Sequence, residues 1–213
     1  SYGNMFRRFF TSLGADLNFR FYQVQQGELP TTPGECDAYL ITGSKAGVYE
    51  DLLWIPPLRN WVQQAFANGE KMIGICFGHQ LLAHSLGGHA ARSPKGWGIG
   101  VHTTRVVQHP VWVNDDLSHL RLIYSHRDQV EILPPGARRL LSSDFCENAG
   151  FYIGNQVLSF QGHPEFTVKF TERLLPRRRD CIGPAVFDQG MATLSQPTEA
   201  ETAGRWILEL IRL

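Results

Sequence analysis

Cys76 stands at a place in this sequence where a nucleophile would be expected. A short apolar run, 72–75, leads into a turn in which Gly74 and Gly78 bracket the cysteine, and an amphipathic stretch follows. A strand that passes through a tight, glycine-flanked turn into a helix is typical of hydrolases that present a nucleophile, often serine, at the turn. Most free cysteines, however, are buried and unreactive. A catalytic role for Cys76 therefore requires a base and an orienting group elsewhere in the chain.

His163 has the surroundings of such a base. It follows the strand-like run 157–160, and Gly162 and Pro164 restrict the backbone on either side of it. Glu165 lies two residues further on, where its carboxylate can reach the imidazole at about 2.6–3.2 Å, as acid–base pairs require. A thiolate nucleophile needs a base, and the base needs an orienting group. The alternative is a histidine that only satisfies hydrogen bonds in the core.

The first half of the chain predicts elements that would bring Cys76 to the edge of a sheet. Apolar residues three and four positions apart indicate helices, and short apolar or alternating runs indicate strands. Alternating strands and helices favour a parallel sheet with helices on both faces, in which ligands bind beyond the carboxyl ends of the strands. The predicted elements are a helix over 4–13, strands over 19–24 and 37–41, a glycine-containing loop over 42–47, a helix from Pro56 to Asn68, and the strand before Cys76.

The second half predicts a run of strands joined by short turns, which suggests an antiparallel section. A last helix is expected over 205–213, preceded by a capping box of Thr198 and Glu201. The strand-like pieces are 98–107, 121–124, 130–133, 151–153 and 157–160.

These patterns predict an α/β fold, a three-layer sandwich with a mostly parallel central sheet, helices on both faces and a smaller antiparallel section. The chain has 213 residues, and we expect 1–213 to form a single domain. Since such a domain normally begins with a strand and this chain begins with a predicted helix, we also expect a first strand to be missing before Ser1.

Composition excludes several classes of function. Lys+Arg and Asp+Glu are both 20, so the global charge does not favour nucleic acid or an anionic membrane as a partner. No apolar run approaches the roughly 20 residues that span a bilayer. The four cysteines are scattered without a CxxC pair, which predicts neither disulfides nor a metal site and suggests the cytoplasm. The run 177–179 of three arginines is most simply a solvated face.

Two motifs together resemble those of the class I (triad) glutamine amidotransferases. They are Gly-Ile-Cys-Phe-Gly-His-Gln over 74–80 and Gln-Gly-His-Pro-Glu over 161–165. The resemblance implies that Cys76 attacks the side-chain amide of glutamine to give a γ-glutamyl thioester and ammonia. It also implies that His163 moves the protons, that Glu165 orients the imidazole, and that no cofactor or metal is needed.

The same resemblance assigns roles around the triad. Backbone N–H groups of Ser44 and Phe77 are expected to form the oxyanion hole, although Ser44 stands where relatives commonly have glycine. Substrate-binding residues are expected to be Gly43, Gln80, Ser125 and His126.

The nature of the substrate stays open at this stage. The chain lacks a phosphate-binding loop, and the roughly 50 residues after Glu165 are too few for a synthetase domain. Either a separate synthetase subunit takes the ammonia released from glutamine, or the domain works alone, as γ-glutamyl peptidases do on γ-glutamyl peptides or γ-glutamylamines. A non-catalytic binding domain is the third hypothesis.

Overall fold

The structure, a computed structural model, describes residues 1–32 and 34–213. No helix in this part of the chain is long and apolar enough to cross a membrane. Short 3-10 helices occur at Val24–Gln26, Leu175–Arg178 and Thr193–Ser195. The α-helices are α1 Tyr2–Ser12, α2 Ile55–Ala67, α3 Phe77–Ser85, α4 Val168–Leu174, α5 Arg179–Ile182, α6 Pro184–Ala192 and α7 Ala200–Arg212.

Most of the strands belong to one seven-stranded mixed sheet. The strands are β1 Tyr39–Ile41, β2 Met72–Ile75, β3 His89–Arg92, β4 Gly98–Val106, β5 His119–His126, β6 Asp128–Ile132, β7 Arg138–Ser142, β8 Gly150–Ile153 and β9 Val157–Phe160. The order in the large sheet is β1-β2-β9-β8-β7-β4-β5, and β3 pairs with β6 in a separate antiparallel ribbon.

The directions of the strands decide which chain segments meet at one edge of the sheet. β1, β2 and β9 are parallel, and the pairings from β9 through β8, β7 and β4 to β5 are antiparallel. β7 and β5 therefore run in the same direction as β1, β2 and β9, whereas β8 and β4 run in the opposite direction. The carboxyl ends of β1, β2, β9 and β5 consequently lie on the same side of the sheet.

Helices cover both faces of the sheet, as predicted. Side chains of β2 alternate between the two layers: Met72 packs in the cluster that contains residues of α2 and α3, whereas Ile73 and Ile75 pack with residues of α1 and α7. Burial on both faces explains why β2 reads as a continuous apolar run. The α/β fold is confirmed.

The strand predicted over 19–24 is wrong. Residues 15–23 carry no regular secondary structure, and Val24–Gln26 forms a 3-10 helix. The aromatic side chains of this segment pack on α1: Phe19 stacks with Phe10 at 6.3 Å, and the guanidinium of Arg7 lies 4.7 Å from the centre of the Phe21 ring. These aromatic rings are covered by α1, so the alternating pattern of apolar residues occurs here without a strand.

The predicted capping box is also wrong, although the last helix exists. The N-cap of α7 is Glu199, one residue after Thr198, and no side chain caps it. The Glu199 carboxylate instead accepts hydrogen bonds from Arg121, including one from its backbone N–H at 2.7 Å. The terminal helix is thereby joined to β5 by an ion pair.

Several elements have no counterpart in the prediction. These are β3, β7 and the helices between Val168 and Ala192. The last of these segments includes the 3-10 helix at Leu175–Arg178, whose Arg178 contacts the end of β5.

Candidate active site

Cys76 occupies the turn between β2 and α3 in a strained conformation. Its φ is 54°, and it is the only non-glycine residue with positive φ in the described part of the chain. It is the N-cap of α3, it is 6% exposed, and its backbone N–H donates to the carbonyl of Phe160 on β9 at 2.9 Å. Backbone strain of this kind costs on the order of 1–3 kcal/mol and is concentrated at functional sites. The predicted strand–turn–helix arrangement is confirmed.

The glycines on either side of Cys76 are required by close backbone approaches. A Cβ on Gly78 would overlap the carbonyl of Ile41 at the end of β1. A Cβ on Gly74 would lie 2.6 Å from the carbonyl oxygen of Gly78. The glycine–x–cysteine–x–glycine spacing therefore lets the first turn of α3 sit directly against the ends of β1 and β2.

His163 and Glu165 form a buried pair after β9. Nδ1 of His163 lies 2.8 Å from Oε1 of Glu165, and the two side chains are 3% and 0% exposed. The backbone N–H of His163 donates to the carbonyl of Ile123 on β5 at 2.8 Å, which fixes the position of the residue. The ring of Phe166 stacks on the imidazole with a centroid distance of 3.8 Å and an angle of 12° between the planes. The imidazole is therefore held from three sides.

The charges around His163 favour its protonated form. Burial alone would lower the pKa of the imidazole, but the negative charges of Glu165 and Cys76 outweigh it and raise the pKa of His163 to about 10. A protonated imidazole that is paired with a carboxylate and lies near a cysteine is the electrostatic arrangement that favours a cysteine nucleophile.

The loop after β1 approaches both reactive side chains. A Cβ on Gly43 would lie 3.0 Å from Cε1 of His163 and 3.8 Å from Cβ of Cys76. Ser44, the next residue, is thus in the same loop. Phe77 is the first residue of α3, so its backbone N–H has no acceptor within the helix and lies next to Cys76. The structure brings both residues predicted for the oxyanion hole to the edge of the sheet that carries Cys76.

The side chains of Gln80 and His126 both bind the backbone of β6. Nε2 of Gln80 donates to the carbonyl of Asp128 at 2.9 Å and to Oε1 of Gln161 at 3.0 Å. Nδ1 of His126 donates to the same carbonyl at 2.9 Å. Burial lowers the pKa of His126 to about 3, so its imidazole is neutral and is not a second cation in the site. These two side chains hold the backbone beside the site.

A further buried histidine close to Cys76 in sequence has a structural environment. Nδ1 of His79 lies 2.8 Å from Oγ of Ser159, and Nε2 lies 2.9 Å from the carbonyl of Asn148. Burial lowers the pKa of His79 to about 3. With both ring nitrogens bonded, His79 is not available as a base for Cys76. Within residues 1–32 and 34–213, no group of three or more metal-ligating side chains could hold an ion.

Three residues near the site were not predicted to belong to it. Phe166 stacks on His163, and Tyr2 of α1 stacks on Phe166 at 6.1 Å. Nη1 of Arg178 donates to Oγ of Ser125 at 2.9 Å. The interpretation of 177–179 as a solvated face is therefore wrong for Arg178, because its side chain turns towards β5. An aromatic residue three positions after His163 could have been noticed in the sequence, but the contacts of Tyr2 and Arg178 have no local signal.

Comparison of the chain with known proteins identifies its family. The family model for class-I glutamine amidotransferases matches residues 1–178. Gamma-glutamyl peptidase 2 of Arabidopsis thaliana is 30% identical over 182 residues, which cover 83% of this chain and 73% of the peptidase. The glutamine-hydrolyzing GMP synthase of Thermomicrobium roseum is 34% identical over 127 residues, which cover 59% of this chain and 23% of the synthase.

A solved structure shares the fold. The crystal structure of glutamine amido transferase from Methylobacillus flagellatus superimposes with a TM-score of 0.78 at 24% identity, covering 96% of this chain and 89% of that chain. The match of the family model and the relationship to the peptidase are sufficient for assignment: the chain belongs to the class-I glutamine amidotransferase family and is an enzyme of that type.

Proposed function

We propose that this protein hydrolyses the side-chain amide of glutamine through a γ-glutamyl thioester on Cys76, with His163 as the acid–base group and Glu165 as its orienting partner. One observation carries the proposal. The buried His163–Glu165 pair, with Nδ1 and Oε1 2.8 Å apart, lies at the same sheet edge as a cysteine in a strained turn. Orientation of the imidazole through Nδ1 leaves Nε2 for the thiol and for the leaving group.

In the first half-reaction, the thiolate of Cys76 attacks the γ-carbonyl carbon of the substrate. The electron pair of the carbonyl moves to oxygen, and backbone N–H groups of Phe77 and Ser44 stabilise the resulting oxyanion. When the tetrahedral species collapses, the carbon–nitrogen bond breaks and the imidazolium of His163 donates its proton to the departing nitrogen. The products are ammonia and a γ-glutamyl thioester on Cys76.

In the second half-reaction, the now neutral His163 removes a proton from water. The hydroxide attacks the thioester carbonyl, the oxyanion forms again in the same position, and collapse expels the thiolate of Cys76. The product acid gives its proton to solvent, where ammonia takes it up, so glutamate leaves with both carboxylates ionised and the imidazolium–thiolate pair is restored. Glu165 remains ionised throughout and stabilises the imidazolium.

The residues predicted to contact the substrate would line the site in this mechanism. Gly43 lies beside both reactive side chains, and its lack of a side chain leaves room next to the imidazole. Gln80 and His126 act through the backbone of Asp128, which both of them bind. Ser125 presents its hydroxyl at the end of β5, where it meets Arg178.

Cleavage of γ-glutamyl peptides or γ-glutamylamines is the second candidate. It requires the same chemistry at Cys76, with an amine in place of ammonia as the leaving group. The observation in its favour is the extent of similarity: this chain covers 73% of the Arabidopsis peptidase but 23% of the GMP synthase. Under the first candidate, a separate synthetase subunit is the partner that receives ammonia.

The two candidates are separated by measuring ammonia release from glutamine and amine release from γ-glutamyl dipeptides with the same preparation. Faster turnover of the dipeptides would favour the peptidase activity. Cys76→Ala should abolish both reactions with little effect on folding. Mass spectrometry after treatment with a glutamine-like electrophile should show one adduct on Cys76 of the wild-type protein. An unmodified Cys76, together with full activity of Cys76→Ala, would disprove the proposed mechanism.

A further inference from the structure

Arg178 is fixed to the strand that also fixes His163. It ends the 3-10 helix Leu175–Arg178, and its Nη1 donates to Oγ of Ser125 at 2.9 Å. Ser125 lies two residues after Ile123 on β5, and the carbonyl of Ile123 accepts the hydrogen bond from the backbone of His163 at 2.8 Å. The guanidinium is therefore held at the same sheet edge as the catalytic imidazole.

Arg178 forms no ion pair with any of the described residues. The guanidinium of the next residue, Arg179, lies 3.9 Å from the carboxylate of Asp188. The side chain is half-buried, and a guanidinium has five N–H donors in a planar fork. A bond to the neutral hydroxyl of Ser125 leaves most of these donors for another acceptor.

Tyr2 connects Arg178 to the reaction centre. Its ring stacks on Phe166, which in turn stacks on His163. Burial raises the pKa of Tyr2, the positive charge of Arg178 lowers it, and the negative charges of Cys76 and Glu165 raise it further. The Tyr2 hydroxyl is thus within electrostatic range of the arginine, the thiolate and the carboxylate together.

The balance of charge in the site favours a cation beside the carboxylate of a bound substrate. The thiolate of Cys76 and the carboxylate of Glu165 carry two negative charges, and His163 supplies one positive charge. A γ-glutamyl compound brings an α-ammonium group and at least one carboxylate, and the net negative charge of the site would repel the carboxylate. Arg178, which is in no ion pair among the described residues, is a cation at this sheet edge, and its fork matches a carboxylate in a bidentate manner.

We propose that Arg178, with the hydroxyl of Tyr2 beside it, binds a carboxylate of the γ-glutamyl substrate and so selects substrates that carry one. The inference rests on the proposed function and extends it to substrate recognition. The carboxylate has two sources: the α-carboxylate of the glutamyl unit, or the carboxylate of the amino acid that leaves. Arg178 touches the substrate but takes no part in proton transfer.

Kinetics with three substrates test this assignment in Arg178→Gln and Arg178→Lys, with Arg177→Gln as the matched control on an exposed neighbour. We expect Arg178→Gln to raise KM about 10- to 100-fold, the effect of losing a hydrogen bond to a charged group, with kcat nearly unchanged. Arg178→Lys should recover part of the loss, and Arg177→Gln should behave as wild type. Tyr2→Phe, which keeps the stacked ring, should raise KM by a smaller factor.

The choice of substrates identifies the carboxylate. Glutamine and γ-glutamyl p-nitroanilide carry only the α-carboxylate, and a γ-glutamyl dipeptide also carries the carboxylate of its leaving amino acid. An equal rise in KM for all three substrates would assign Arg178 to the α-carboxylate. A rise for the dipeptide alone would assign it to the leaving group. An unchanged KM for all three, or a fall in kcat alone, would overturn the proposal.

Calorimetry separates failure of this inference from failure of the proposed function. Binding of glutamine and of the γ-glutamyl dipeptide is measured to Cys76→Ala and to Cys76→Ala combined with Arg178→Gln, neither of which depends on turnover. Binding of neither compound to Cys76→Ala would reject the proposed substrates, and the inference with them. Binding that is equally tight with and without Arg178 would reject the inference alone, and a loss of about 10-fold or more would support it.

Discussion

Replacement of Glu165 by glutamine tests the buried imidazolium most directly. The substitution keeps the shape of the side chain and removes its charge at a position where it is fully buried. Glu165 is the first of the charges that raise the pKa of His163, against the opposing effect of burial. In Glu165→Gln the pKa of His163 should therefore fall, since only the thiolate then favours the imidazolium.

The sign of the stability change follows from linkage. A histidine whose folded-state pKa lies above its unfolded value stabilises the protein fully below the unfolded pKa, about 6.5, and this contribution disappears as the pH rises through the folded value of about 10. At about 1.4 kcal/mol per pKa unit the whole contribution is on the order of 4–5 kcal/mol. Because Glu165 is the largest of the charges that raise this pKa, Glu165→Gln should cost on the order of 2–4 kcal/mol near pH 6.5.

The difference between the two proteins should shrink towards pH 10 and then vanish or change sign. Above that pH, wild type holds a buried carboxylate beside a neutral imidazole, which is unfavourable, whereas glutamine carries no charge to bury. Denaturant unfolding of both proteins at intervals from pH 6 to pH 10.5 measures this difference, and titrations common to both cancel. Turnover at neutral pH should fall by up to about 10⁴-fold while substrate binding persists.

Glu199→Gln is the matched control. The hydrogen bond from Arg121 lowers the pKa of Glu199, so this carboxylate stabilises the protein above its ordinary pKa and loses its effect only in acid. The cost of Glu199→Gln should therefore be constant from pH 6 to pH 10.5. A constant cost for Glu165→Gln over the same range would refute the conclusion that His163 is an imidazolium in the folded protein.

Two further predictions concern the residues that hold the triad in place. Gly78→Ala should destabilise the protein by at least about 2 kcal/mol and abolish activity, because the new Cβ would overlap the carbonyl of Ile41. Thermal unfolding measures the loss of stability, and an unchanged melting temperature would contradict the close approach of Gly78 to Ile41. Phe166→Leu should lower kcat more than it raises KM, because it removes the ring stacked on His163 but keeps an apolar side chain. Steady-state kinetics measure both constants, and a change in KM alone would argue against a role of Phe166 in positioning His163.

The site was predictable where its requirements are local in sequence. Gly74 has to be glycine because of a contact with Gly78 inside one strand–turn–helix unit, and the unit is recognisable from its spacing alone, although the contact that constrains Gly78 is with Ile41 on β1. His163 and Glu165 are two residues apart, so their ion pair also follows from a short segment. Their association with Cys76 came from a family resemblance, since no local pattern relates residues that far apart.

The errors have a common physical origin in partners distant in sequence. The alternation over 19–24 is genuine, but whether it forms a strand depends on a neighbouring strand, and α1 covers the rings of Phe19 and Phe21 instead. The capping box failed because Glu199 bonds to Arg121, 78 residues earlier. Arg178 looked like part of a solvated run because its acceptor, Ser125, lies 53 residues away.

The mixed sheet explains how such distant residues come to share one site. If all strands of the sheet were parallel, each pair of consecutive strands would need a long crossover connection. The carboxyl end of β5 could then not reach the edge where β9 ends through short connections. Because β8 and β4 run backwards, the chain returns through hairpins, and β5 finishes beside the segment that carries His163. The reversed strands thus bring Ser125, and through it Arg178, to an anionic centre formed after the parallel strands. The parallel half of the sheet carries the reacting groups, and the antiparallel half carries the cation that we propose to recognise the substrate.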